Sequence, residues 1–227
     1  MGAERYQDST LGQLLPARVR RSCRLIFQDT LRAMVAVWLR DSVISKDYYV
    51  FLVKKDTWKL KTIKSLQGTH IAEREIKRLD SIPVADRGKK YSSTHQHSWA
   101  FERNALQLWL SSDKMLENHW NRNSKKFMKL AGYMKRKGYF SGDDARLASV
   151  MKDKKAKRLC EQLLIRDIKA DSSFPGNYFF IIGGIGDNIV GYLYNPYPER
   201  HPLPVIFELR YIFIDPLNKG WCIFKST

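Results

Sequence analysis

Apolar side chains recur at helical spacing in some stretches of this chain and alternate with polar ones in others, and the two periods predict different elements. Between Pro16 and about Arg40, the residues Val19, Cys23, Ile26, Leu31, Met34, Val35 and Trp38 suit one face of a single helix. Pro16 fits a first helical position, and arginines spread over the remaining faces. Residues 1–15, ahead of this helix, read as a flexible arm. The period then changes. Tyr48 to Val53 is β-branched and aromatic, Lys54-Lys55-Asp56-Thr57 is polar, and Trp58, Leu60 and Thr62 alternate with Lys59 and Lys61. This pattern predicts a β-hairpin over about 47–64 with one face buried and the other wet.

Helical periodicity returns further on. Thr69 caps a short helix to about Leu79, and Pro83 follows its end. Residues 82–97 lack a period and read as a long surface loop. Trp99 to Leu110 predicts a central helix. Asp113 caps the next, whose apolar face is Leu116, Trp120, Phe127, Ala131 and Met134, with Gly138 at its left-handed stop. Ser141-Gly142-Asp143-Asp144 has the form of a capping box. It opens a long helix over 143–169 with Leu147, Val150, Met151, Leu159, Leu163 and Ile168 inward. Asp171-Ser172-Ser173-Phe174-Pro175-Gly176 is the clearest break, and strand-like runs follow at 177–183, 188–194, 205–214 and 220–225. The fold class this predicts is α+β. A mixed, mostly helical basic region covers 16–140, and a unit over 141–227 packs a four-stranded antiparallel β meander on the long helix.

Charge changes the picture most. Among 227 residues, 40 are Lys or Arg against 23 Asp or Glu, a net charge of +17. The excess is uneven, +8 over 1–113, +10 over 114–170 and −1 over 171–227. Such a field draws nucleic acid, anionic lipid or acidic protein. The candidate nucleic-acid-binding residues are Lys125, Lys126, Lys129, Lys152, Lys154, Lys155, Lys157 and Arg158, with Lys135, Arg136 and Lys137 extending the patch. Several cations on one side of a rigid element are what a phosphate backbone needs, because each neutralised phosphate releases counterions. A solvated helix face would show the same run. No zinc finger or RNA-recognition signature accompanies it. Residues 16–40 hold six arginines against one acid, Asp29, which also suits an anionic membrane surface or a targeting peptide. Their apolar stripe reads more simply as core.

Other constellations are weaker. His95 and His97 form a His-x-His that can ligate a metal or serve a hydrolase, with Glu102 and His119 as further candidates. The bland reading is a surface loop. Glu73-Arg74-Glu75-Ile76-Lys77 contains the Glu-x-Lys fragment of metal-dependent nucleases, for which Asp47 or Asp56 would be the missing acid. Its placement on a predicted helix favours solvent-side ion pairs. Gly183-Gly184-Ile185-Gly186-Asp187 resembles a phosphate cradle, but a strand follows it where a helix is required, so it reads as a hairpin turn. Cys23, Cys160 and Cys222 form no disulfide framework or metal spacing and suit a reducing compartment. No apolar run of about 18 residues predicts a membrane span. The expectation is an intracellular nucleic-acid-binding protein, cytoplasmic or at the nucleoid or nucleus, that uses basic helices on DNA or RNA without catalysis or cofactor. Two alternatives stay open, a hydrolase or nuclease centred on His95 and His97, and an interaction protein docking a partner through the C-terminal sheet.

Overall fold

The computed structural model describes residues 16–41, 45–94, 96–141, 144–201, 203–204 and 210–227. The expected arm at 1–15 lies outside them. The chain divides into two compact units, residues 1–65 and 66–227.

The first unit overturns the helix expected over 16–40. That stretch forms two strands, β1 (Arg20–Gln28) and β2 (Arg32–Arg40), which join β3 (Ser45–Lys54) and β4 (Trp58–Lys64) in an antiparallel sheet of order β1-β2-β3-β4. The reason lies at Asp29. Its carboxylate accepts hydrogen bonds from the backbone amides of Leu31 (2.8 Å) and Arg32 (2.7 Å), and the amide of Asp29 donates to the Arg32 carbonyl (2.8 Å). Asp closing its own turn two residues on is the chemistry of a hairpin. On either side, period-2 burial takes over. Met34 and Ala36 pair with Phe51 and Tyr49 on one buried face, while Leu25, Val35, Val50 and Ile63 form a row across the other. The hairpin expected over 47–64 is present as β3 and β4, but Trp58 and Leu60, expected on its buried face, are exposed.

The second unit is built from α1 (Thr69–Asp80), α2 (Lys89–Thr94), α3 (Trp99–Trp109), α4 (Asp113–Arg136), α5 (Asp144–Ala148) and α6 (Lys154–Gln162), followed by a five-stranded antiparallel sheet. The chain is therefore α+β. Two helix starts differ from expectation. Gly68, at φ 68°, rather than Thr69 begins α1. Ser112 rather than Asp113 caps α4, its Oγ accepting from the Met115 amide at 3.3 Å. Gly138 takes the left-handed conformation expected after α4, at φ 69°. Within the expected loop over 82–97, a 3-10 turn (Val84–Asp86) and α2 form. The expected capping box falls partly on residues outside the description.

The long helix expected over 143–169 is broken. After α5, a 3-10 turn (Ser149–Lys152) leads to Asp153, which is extended at φ −73°, ψ 113° and starts α6 anew. Its Oδ1 accepts from the amides of Lys155 (2.9 Å) and Ala156 (3.1 Å), so an acid that looked interior to a helix is a cap. The tail of the expected helix becomes strand β5 (Asp167–Ala170).

The remaining strands are β6 (Tyr178–Ile185), β7 (Asn188–Tyr194), β8 (Tyr211–Pro216) and β9 (Trp221–Ser226), in the order β5-β6-β7-β9-β8. This corrects the simple meander. Residues 205–209 of the run expected over 205–214 lie outside the described residues, and the sixteen residues between β7 and β8 suffice to pass one strand position, so the β8–β9 hairpin enters with its second strand inside. One face of the sheet packs on the helices. Phe127 of α4 meets Tyr192 and Trp221 edge-on at 4.7 and 5.1 Å, and the Tyr192 hydroxyl donates to the Leu116 carbonyl at 2.9 Å. The other face holds a second cluster of Phe179, Leu193, Tyr211, Ile214, Cys222 and Phe224. Each such side chain contributes about 1.5–3 kcal/mol on burial.

Candidate nucleic-acid interface

Helix α4 turns Leu116, Trp120, Phe127, Leu130, Ala131 and Met134 inward. At 3.6 residues per turn, Arg122, Lys125, Lys126, Lys129, Tyr133, Arg136 and Lys137 then fall within an arc of about 120° on the opposite side. All six of these cations are exposed. The stripe runs roughly 22 Å along the helix. On α6, Ala156, Leu159 and Cys160 are buried, leaving Lys154, Lys155 and Arg158 exposed and Lys157 half-buried. Lys152 is exposed on the preceding 3-10 turn.

Tyr133 brings the two groups together. Its hydroxyl donates to Asp153 Oδ2 at 2.7 Å, and the Tyr139 hydroxyl donates to the same oxygen at 3.3 Å. The Tyr133 hydrogen bond, followed by the amides that Asp153 caps, holds that carboxyl below its ordinary range. Lys155 lies 5.1 Å from the Tyr133 ring and Lys137 6.0 Å from it. The end of α4 and the start of α6 therefore present their cations around one tyrosine. Lys135 sits 5.2 Å over Tyr197 beside them. Among the described residues, no carboxylate forms an ion pair with Lys125, Lys126, Lys129, Lys135, Arg136, Lys137, Lys152, Lys154, Lys155, Lys157 or Arg158. The cations were visible in the sequence. The bridging tyrosine was not, because it depends on α4 packing against α6.

Three members of the histidine constellation, His97, Glu102 and His119, lie among the described residues. His95 lies outside the described residues. The side chain of His97 is 8% exposed, its ring stacked on Phe101 with centroids 4.4 Å apart, and its Nδ1 stands 4.0 Å from Glu161 Oε1. Burial lowers its pKa. Glu102 is committed to Arg166, with 2.5 Å between Oε2 and the guanidinium. His119 packs inside between Phe127 and Tyr192, with Nε2 3.3 Å from the Leu163 carbonyl, and burial lowers its pKa too. Neither completes a ligand set with His97. Among the described residues no group of three His, Cys, Asp or Glu side chains has a metal-holding arrangement.

Two depressed histidines give a sign to the acid response. Both are neutral in the fold and take up protons more readily in the unfolded chain. Their contribution is full above the ordinary histidine pKa, about 6.5, and is lost as the pH falls through that value towards the lowered one. The urea midpoint is expected to fall between pH 7.5 and 5.5, and to fall less in His119→Gln. An equal slope in that variant would show that His119 does not contribute.

The other candidates take their plain readings. Glu75 of the Glu-x-Lys fragment binds Arg78 at 2.6 Å on α1, and Asp47 on β3 pairs with Arg40. Gly186 and Asp187 form the tight turn between β6 and β7, Gly186 at φ 57°. Cys23, Cys160 and Cys222 are free, the last two buried, with their thiols pushed up to about 12 by desolvation. A cavity of about 520 Å³ on the outer face of the sheet is lined by Asp171, Arg210, Tyr211 and Ser226. Asp171 there already accepts from the Ser173 amide (2.9 Å), the Tyr211 hydroxyl (2.9 Å) and Arg210. No described helix is long and apolar enough to cross a membrane. No protein-family model, curated protein or solved structure matches the chain, so the reading of the site rests on its geometry.

Proposed function

We propose that this protein binds nucleic acid through the cationic strip of α4 and α6, without catalysis. The observation that carries the reading is the continuity of the strip around Tyr133, with no carboxylate pairing its cations among the described residues. A stripe of about 22 Å on a rigid helix matches a backbone that carries a phosphate every few ångströms. Tyr133, Tyr139 and Tyr197, all half-buried, add ring surface among the lysines. Aromatic faces between cations favour a single strand with accessible bases. The ligand sets the protein inside the cell, in the cytoplasm or with the nucleoid or nucleus.

The hydrolase reading finds less support, because Glu102 and His119 are occupied elsewhere. So does docking through the C-terminal sheet. Its aromatics among the described residues are buried except Tyr194, which is half-buried, and Ile185 is its only described large apolar side chain that is exposed.

The test is the salt dependence of binding. Each phosphate contact contributes about 0.7–0.9 to the slope of log K against log salt. Lys154→Gln with Lys155→Gln should lower that slope by about 1.4–1.8 and weaken binding roughly 30-fold at about 0.1 M salt. Fluorescence anisotropy of a labelled oligonucleotide measures both. A native protein that fails to bind DNA or RNA at that salt would sink the reading.

A further inference from the structure

Beside the strip lies a cavity of about 410 Å³, whose walls include His97, Phe101 and Asn104 around α3 and Arg158, Glu161 and Gln162 on α6. The His97 side chain is 8% exposed, and its Nδ1 has no hydrogen-bond partner among the described residues. That nitrogen faces the Glu161 carboxylate at 4.0 Å, too far for a hydrogen bond. That atom is closed to solvent, so a bound group meets the imidazole through its other atoms, which line the cavity. The imidazole is neutral near pH 7, since burial opposes its charging. One ring nitrogen then donates and the other accepts.

The chemistry of the ligand follows from the remaining groups. Asn104 and Gln162 are exposed, and each offers a donor and an acceptor side by side. Glu161 adds an acceptor and Arg158 a planar cation. A simple anion has no use for amide and carboxylate acceptors and is repelled by Glu161. A nucleobase edge, where donors and acceptors alternate, uses all of them, and bases are read in this way by Asn, Gln and Glu. Arg158 lies one helical turn beyond Lys154 and Lys155, about 6 Å along the axis. A base turned towards the cavity would therefore belong to a chain whose phosphates lie on the strip.

We infer that this cavity receives one unstacked nucleobase of a single strand held on the strip, with Asn104, Glu161, Gln162 and His97 meeting its edge and Arg158 its face or its phosphate. The inference rests on the nucleic-acid reading and adds to it a base preference that the strip cannot provide.

The experiment compares labelled homopolymers of A, C and T, each about 12 nucleotides long, with an abasic strand of the same length. Anisotropy is read for the native protein, for Lys154→Gln/Lys155→Gln, for Asn104→Ala/Gln162→Ala and for His97→Ala. The Asn104 and Gln162 side chains are exposed, so that pair tests the cavity even where loss of His97 disturbs folding. The native protein is expected to prefer at least one homopolymer over the abasic strand by about tenfold. The cavity variants should bring that ratio to within about twofold while leaving the salt slope intact. The lysine variant should weaken every strand alike. A native preference that survives in both cavity variants overturns the inference and leaves the strip reading standing. Equal native affinity for all strands, abasic included, does the same. No binding to any strand overturns both. If mononucleotides compete with one another for the cavity while no strand binds, the site belongs to a free nucleotide and the single-strand form is wrong.

Discussion

Asp113→Ala is expected to destabilise the protein by about 3–5 kcal/mol. Asp113 stands in the first turn of α4 with its side chain 5% exposed, and its Oδ1 is 2.7 Å from the Nζ of Lys225, whose side chain is 2% exposed. Lys225 is on β9, with its ammonium 6.0 Å from the Phe213 ring. Both charges have left water, and each answers for the other's desolvation. Alanine at 113 takes the carboxylate away from a buried ammonium, which is far more costly than the loss of a surface pair. The double change Asp113→Leu with Lys225→Met removes both charges at similar volume and should come within about 1–2 kcal/mol of the native protein. Urea unfolding of the three proteins measures the difference. A single-variant loss below about 1 kcal/mol would mean that Lys225 finds another partner or water. The pair also fixes the N-terminal end of the helix that carries the strip, so Asp113→Ala should weaken oligonucleotide binding as temperature rises, before the native protein does.

How much of this was legible depends on whether the deciding contact was local. Trp99 to Leu110 and the Leu116, Trp120, Phe127, Met134 face announced α3 and α4 because a helix's buried stripe is written in one segment. The stretch over 16–40 misled because Val19, Cys23, Ile26, Leu31, Met34, Val35 and Trp38 also fit helical spacing, while its hairpin depends on Asp29 folding back on Leu31 and Arg32. Asp153 gave the same difficulty, since an acid in a lysine-rich run looks like a solvent-side residue until its carboxylate is seen on two amides. Strand order was hidden for a different reason. Which strand β9 joins is settled by packing across the whole sheet, and short connections alone suggested β8 instead as the neighbour of β7. For the site, Lys154, Lys155 and the α4 cations stood out by composition. Asn104 and Gln162 did not, because amides 58 positions apart reach one cavity only after α3 and α6 are in place.

Gly191→Ala is expected to cost about 3 kcal/mol or more, although it adds a single methyl group to a strand. Gly191 is buried at the middle of β7, paired with Ile181 on one side and Phe224 on the other. A Cβ there would collide with the backbone carbonyl oxygen of Phe180 and come within 2.9 Å of the Phe224 ring. The carbonyl belongs to the neighbouring strand, so relief requires β6 and β7 to part. Phe224 is locked in turn against Phe179, with ring centroids 5.0 Å apart. Two other glycines calibrate the effect. A Cβ at Gly88 meets nothing within 4 Å, and Gly88→Ala should be nearly neutral. At Gly186 the space is also open, but φ is 57°, so alanine should cost about 1 kcal/mol from the backbone alone. Denaturant midpoints should therefore fall in the order Gly88, Gly186, Gly191. If Gly191→Ala unfolds with Gly186→Ala, the close approach of β6 and β7 is not what glycine permits. The position also reaches the strip, since the next residue, Tyr192, carries the hydroxyl that donates to Leu116 of α4. Loosening β7 should therefore lower the affinity for single strands together with the stability, whereas Gly186→Ala should leave the affinity unchanged.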